Sequence, residues 1–266
     1  MILLYGGGVC MNDNTSRQVM LMADYYRDHG YACAAVNYRL AQEALAPAAI
    51  EDVKAAIRFL RWHAGEYGIA PERIVISGES TGAYLGLMAA LSGEDAFNSV
   101  PVMGAPEEEI ISSRVSAVVD FYGTMDMFHQ EQDFVDTRIP AFLRNIAGSW
   151  FNQYLPEGIS TYQEAWLGRS LSAITGEDRR LYSPYRCMFE YPERVRDMKV
   201  WISHGGADIS VSPLQSDDLY LRLLDFVDDP GHIHYEVYPN YKHADDRLYA
   251  PKEMEKICAF LDEKET

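Results

Sequence analysis

Ser80 sits in the pentapeptide Gly78-Glu79-Ser80-Thr81-Gly82, between the apolar run Ile74-Val75-Ile76 and a small-residue stretch at 83–91. A serine on a strand-to-helix turn has strained backbone angles and tolerates no bulk two positions away on either side, so glycines at 78 and 82 are steric requirements of that geometry. The turn lifts the hydroxyl clear of the sheet and aims the next helix N-terminus at it, the setting of a nucleophile whose developing oxyanion meets a positive field. The same five residues also describe an ordinary glycine-rich turn. Strand-like residues before them and helical spacing after them favour the nucleophile.

Two further regions could complete such a site. At the start of the chain Met1-Ile2-Leu3-Leu4-Tyr5 runs into Gly6-Gly7-Gly8. Glycines directly after a buried-type strand let the backbone approach a ligand and leave amide N–H groups free to point at it. The flanks, Tyr5 and Val9-Cys10-Met11, lack the serine-rich composition of a linker. We therefore read the N–H groups of Gly7, Gly8 and Thr81 as an oxyanion hole. In the C-terminal third, Val200-Trp201-Ile202-Ser203 leads to Asp208 and Tyr235-Glu236-Val237-Tyr238 leads to His243. Each candidate follows the C-terminal end of a strand, the edge of a parallel sheet where sites assemble, so Ser80, Asp208 and His243 can converge from distant parts of the chain. Competitors stay open on residue type alone: His204, His232 and His234 for the base, and Asp126 for the acid. Asp245 and Asp246 read as solvated or loop-stabilising.

Taken with the segments around them, these residues resemble an α/β-hydrolase esterase of the hormone-sensitive-lipase and feruloyl/acetyl-xylan esterase-like group. The resemblance runs over nearly the whole chain. It is carried by Gly6 to Gly8, by Val36-Asn37-Tyr38-Arg39-Leu40, by the stretch 47–57, and by Pro71-Glu72-Arg73-Ile74 leading into the serine turn. Asp120-Phe121-Tyr122-Gly123, Ser183-Pro184, the segment 204–208 with Gln215-Ser216, and His243-Ala244-Asp245 continue it. The order serine, acid, histidine is that of the α/β-hydrolases. The resemblance implies a carboxylesterase for short acyl or aryl esters, with acetyl or feruloyl groups on plant polysaccharides as candidate substrates, acting through an acyl-enzyme without metal or cofactor. An amide hydrolase such as an arylformamidase or small peptidase uses the same triad, and a ligand-binding protein on a hydrolase scaffold is the non-enzymatic reading. Two departures stand out: Tyr5 occupies the place where the group usually has histidine, and the chain opens on what the group counts as its third strand, without the usual N-terminal strand pair.

The elements that must position these residues alternate as strand and helix, the pattern of a mostly parallel sheet covered on both faces. Asn14 or Thr15 is expected to cap a helix to about Asp28 that Gly30 ends, followed by a strand over 31–38. Pro47 opens a helix whose Ile50, Val53, Ile57 and Leu60 share one face. Arg39 and Asp52 read as a structural ion pair near its start. A strand at 115–121 and helices at 214–226 and 251–264 complete the series. The stretch at about 125–180 lacks a clear strand and is rich in aromatics, among them Phe128, Phe134, Phe142, Trp150, Phe151, Tyr154, Tyr162 and Trp166. It is expected to form a cap insertion above the serine, within one α/β-hydrolase domain spanning 1–266. Each of its aromatics has its place either in the cap's own small core or on the pocket wall.

Composition bounds the partners. At 48% apolar content a chain of 266 residues can bury a full core. A formal charge of −17 argues against nucleic acid and against anionic membrane surfaces. The four cysteines, Cys10, Cys33, Cys187 and Cys258, lack metal-ligand spacing and read as free buried thiols. No signal-like leader or membrane-length apolar run stands out, and the expectation is a cytoplasmic protein. Without the strand pair, the strand at 31–38 would present an unpaired apolar edge, which predicts a homodimer or poor solubility.

Overall fold

Ile2, Leu3 and Leu4 are wholly buried, and the strand they form, β1 (Ile2–Leu4), is hydrogen-bonded on both sides. A computed structural model describes residues 1–106, 109–129, 133 and 153–263. Around β1 the sheet adds β2 (Ala34–Ala35), β3 (Val75–Glu79), β4 (Ala117–Phe121), β5 (Lys199–Gly205) and β6 (Ile233–Tyr238). Among the described residues its six strands are all parallel, in the order β2-β1-β3-β4-β5-β6. Each strand therefore ends at the same edge, and the loops after β1, β3, β5 and β6 share one rim.

Alternation along β3 shows why helices cover both faces. Ser77 Oγ lies 3.2 Å from Tyr26 Oη and 3.2 Å from Met22 Sδ of α1 (Arg17–Asp28). Ile76 points the other way, where a Cβ on Gly86 would come within 2.8 Å of its Cγ2. Gly86 belongs to the helix after α2 (Ala48–Trp62) and the short α3 (Ala64–Tyr67), namely α4 (Thr81–Leu91), all of whose residues are buried. Its glycines and alanines let it lie close on the sheet. Helices α5 (Tyr162–Leu167), α6 (Gly176–Leu181), α7 (Pro184–Glu190), α8 (Leu214–Leu223) and α9 (Pro251–Asp262) follow. In α9, Met254 and Ile257 face the core as their spacing predicts, and Leu261 is half-buried.

Several boundaries differ from the sequence reading. Ser16, not Asn14 or Thr15, precedes α1, without a side-chain cap. Asn14 is used elsewhere: its Nδ2 donates to Ala35 O and its N–H to Asn37 Oδ1. The strand expected over 31–38 is reduced to Ala34–Ala35, because β1 offers only a short partner. It forms one edge of the sheet, and Ala32 and Cys33 are exposed there, so Cys33 is not a buried thiol. Cys10, Cys187 and Cys258 are buried and free. Arg39 and Asp52 form the expected ion pair, with a shortest contact of 2.8 Å. In the stretch 125–180, the described residues hold helices and no strand. Trp166 packs edge-on to Tyr84 of α4 with centroids 5.8 Å apart, so it joins the main core rather than a separate one. Phe134, Phe142, Trp150 and Phe151 lie outside the described residues.

Candidate active site

Ser80 links β3 to α4 with φ 52° and ψ −123°, a conformation that costs a non-glycine residue about 1–3 kcal/mol. The surroundings enforce it. Ser80 N–H donates to Phe121 O of β4 at 2.8 Å. A Cβ on Gly78 would lie 2.6 Å from Ala83 N, and one on Gly82 would lie 2.5 Å from Leu4 O. The two glycines are thus the points at which the turn is pressed against its own helix and against β1.

Asp208 lies in the turn after β5 and His243 in the loop after β6, and both reach the serine. His243 Nδ1 is 2.6 Å from Asp208 Oδ2, and its Nε2 is 3.2 Å from Ser80 Oγ. A carboxylate accepts, so Nδ1 carries the ring proton and Nε2 faces the hydroxyl as an acceptor. Asp208 is fully buried, and its Oδ1 accepts N–H bonds from Ser210 at 2.7 Å and Val211 at 2.9 Å. Burial alone would raise its pKa, but the charge of His243 and hydrogen bonds from His204 and His243 outweigh it and hold the carboxyl well below the usual range. The imidazole of His243 moves the other way. Desolvation would lower its pKa, yet Asp208 and then Glu79 raise it above the ordinary 6.5.

The glycine loop approaches from β1. Gly7 and Gly8 take φ of 111° and 59°. Gly6 N–H donates to Glu79 Oε1 at 2.5 Å, and Gly8 N–H donates to Thr81 Oγ1 at 2.9 Å. The N–H groups of Gly7 and Thr81 donate to no group among the described residues. Of the three predicted donors, two are therefore uncommitted and the third is held by a hydroxyl at the mouth of α4. Tyr5, where a histidine was expected, stacks on Tyr38 at 4.3 Å between centroids. Each tyrosine hydroxyl donates to the other's carbonyl, at 3.2 and 2.7 Å, so the pair fixes the base of the loop.

Glu79 is a member of the site that the sequence reading passed over. Its carboxyl is buried between Gly6 and the Tyr122 hydroxyl, which in turn bonds the Tyr249 hydroxyl. Burial pushes its pKa up, against the Gly6 bond, the charge of His243 and the Tyr122 bond. The signal was present as an acid in a strand whose other residues are apolar or small, a placement that needs partners.

The competitors are accounted for elsewhere. His204 stands behind Asp208, not beside Ser80. His234 stacks on Trp201 at 3.6 Å near the sheet edge, and His232 ends a short turn before β6. Asp126 Oδ1 accepts from Phe128 N at 3.0 Å, and its own N–H is held by Gln215. Asp245 pairs with Arg247 at 2.7 Å and Asp246 with Arg17 at 2.6 Å, as loop-stabilising groups. Among the described residues no group of three His, Cys, Asp or Glu side chains could hold a metal ion.

A parallel sheet that carries a strained serine elbow after a central strand, with an acid and a histidine after two later strands, defines an α/β-hydrolase. The chain belongs to the BD-FAE family, whose model matches residues 1–223. His243 lies beyond that match. The chain is 35% identical over 127 residues to the probable carboxylic ester hydrolase LipM of Mycobacterium tuberculosis, covering 48% of this chain and 28% of that one. It is 28% identical over 244 residues to the acetyl esterase of Salmonella dublin, covering 91% and 63%. The chain thus spans between about a quarter and two thirds of the length of these curated relatives. Among solved structures, a truncated carbohydrate esterase from gut microbiota superposes with a TM-score of 0.71 at 25% identity, covering 98% of this chain and 83% of that one.

Proposed function

We propose that this protein is a serine carboxylesterase for short-chain acyl or aryl esters. The observation that carries the reading is the relay Ser80 Oγ to His243 Nε2 at 3.2 Å and His243 Nδ1 to Asp208 Oδ2 at 2.6 Å, hung on a strained elbow. Ser80 attacks the ester carbonyl while His243 takes its proton and returns it to the leaving alcohol. Asp208 fixes the Nδ1–H tautomer and stabilises the imidazolium. Water then releases the acyl group by the same route. The tetrahedral oxyanion is received by Gly7 and Thr81 N–H, and by Gly8 N–H once the Thr81 hydroxyl yields it; one such donor is worth about 100- to 1000-fold in rate.

The names of the relatives, an acetyl esterase and a carbohydrate esterase, support acetyl or other small acyl groups on a saccharide as the substrate class. The stretch at about 125–180 is read as the cap over this site within a single domain spanning 1–266. The exposed edge at Ala34–Ala35 is read as a homodimer contact, and a clean monomer in light scattering at high concentration would refute that part. The −17 charge supports a small neutral substrate rather than nucleic acid. Among the described residues no helix is long and apolar enough to cross a membrane. The free thiols support a cytoplasmic setting.

The test is hydrolysis of p-nitrophenyl acetate through octanoate and of a feruloyl ester by the protein and by Ser80→Ala. Turnover that disappears in the variant is expected, with acetate or propionate preferred. A folded protein without turnover, or a variant that retains it, would overturn the reading.

A further inference from the structure

His204 is the penultimate residue of β5 and has no exposed surface, in a core where an unpaired ring nitrogen is costly. Both of its nitrogens are engaged. Nδ1 is 2.7 Å from Ser216 Oγ of α8, and Nε2 is 3.1 Å from Val211 O and 3.4 Å from Asp208 Oδ2. A carbonyl only accepts, so Nε2 carries the proton. In that Nε2–H tautomer Nδ1 accepts from the Ser216 hydroxyl, which holds the tautomer in place.

We propose that His204 is a positioning residue of the esterase site: it anchors the acid turn and aims Asp208 at His243. Two features carry this. First, Val211 is held from both sides, its N–H on Asp208 Oδ1 at 2.9 Å and its carbonyl on His204 at 3.1 Å, so the ring ties the turn that carries the acid to the strand before it. Second, Asp208 Oδ2 lies between two imidazole N–H groups, at 2.6 Å from His243 and 3.4 Å from His204. A carboxylate with no exposure needs donors on every side to stay charged, and the second imidazole edge faces the oxygen that His243 uses. The charged group facing His204 from the neighbouring strand is Asp120 on β4, a fully buried carboxyl that burial pushes up to about 6. Asp208 faces it from its own turn.

This inference rests on the esterase reading, and three variants separate the two. In His204→Leu, kcat is expected to fall about 10- to 100-fold with KM within about twofold, and the acidic limb of kcat/KM to move to lower pH, because an Asp208 no longer aimed at Nδ1 supports His243⁺ less. His204→Gln places an amide N–H near the position of Nε2 and is expected to restore kcat to within about fivefold of the parent. Ser216→Ala keeps the ring but releases its tautomer, with an expected loss of about three- to tenfold and the same direction of the limb. Unchanged kcat and limb in His204→Leu and Ser216→Ala proteins that melt cooperatively would overturn the inference. So would equal losses in the Leu and Gln variants with the limb in place, since packing alone would then be the role. Should His204→Leu fail to fold, the limb of Ser216→Ala decides. Absence of parent turnover, or turnover surviving in Ser80→Ala, strikes the esterase reading instead.

Discussion

Replacing Asp208 by asparagine changes one oxygen for an NH₂, and the surroundings dictate which. The N–H groups of Ser210 and Val211 both point at Oδ1, at 2.7 and 2.9 Å, and require an acceptor there. The amide nitrogen is therefore forced into the place of Oδ2, where it meets His243 Nδ1 at 2.6 Å and His204 Nε2 at 3.4 Å. The amide donor then faces His243 Nδ1, which must give up its proton and carry it on Nε2. That nitrogen no longer accepts from Ser80. The same exchange in a serine protease costs about 10⁴-fold in kcat, which corresponds to about 5.5 kcal/mol of barrier. Here the N–H of His204, opposed to the new amide, adds to the disturbance, so about 10⁴-fold is the expected loss in steady-state hydrolysis of p-nitrophenyl acetate, with KM nearly unchanged. A folded Asp208→Asn protein that keeps more than about a thirtieth of the parent kcat, or that loses its efficiency through KM, would refute the assignment of the acid and of the His243 tautomer.

Other expected outcomes concern the loop, the pH profile and stability. Gly6→Ala would place a Cβ 2.6 Å from Glu79 Oε2 and 2.7 Å from Ser80 Cβ; kcat should drop at least about 100-fold, the cost of one misplaced donor, and activity near that of the parent would show the loop free to shift. Because the base acts neutral while Asp208 and Glu79 raise its pKa, kcat/KM should fall with decreasing pH through a midpoint above 6.5, and Glu79→Gln, which keeps an acceptor for Gly6, should lower that midpoint. For Glu94, desolvation is outweighed by bonds from Ser112 and Ser113 and by the charge of Arg194, which bring it from 4.5 to about 2. Its folded pKa is depressed, so its stabilisation is present above about 4.5 and is lost as pH falls toward 2. Glu94→Gln should thus cost about 1–2 kcal/mol in urea unfolding at pH 7, a value reduced for partial solvent screening, and nearly nothing near pH 2.

The sequence by itself determined the parts whose requirements are local. Gly78, Ser80 and Gly82 specify a strained turn because no other residue fits two positions from the serine, and the small residues of α4 announce a helix pressed on a sheet. The apolar runs of β1, β3, β4 and β5 read as buried strands; Ser80 follows β3 and Asp208 follows β5, while His243 follows the less apolar strand β6. That was enough to bring out Ser80, Asp208 and His243. Tertiary structure decided everything that depends on which strands are neighbours. Parallel pairing of β5 with β6 sets the loop of His243 against the turn of Asp208, and pairing of β1 with β3 lays Gly6 on Glu79. No periodicity encodes those contacts, so the sequence assigns Glu79 no role and leaves His204 a rival base, although it backs the acid. The same cause shortened the strand at 31–38 to Ala34–Ala35: strand propensity is local, but a ladder is only as long as its partner, and β1 turns into the glycine loop after Leu4. Thr81 shows the limit most plainly. Sequence spacing supplies its backbone N–H to the site, yet only the fold brings its hydroxyl onto Gly8 N–H.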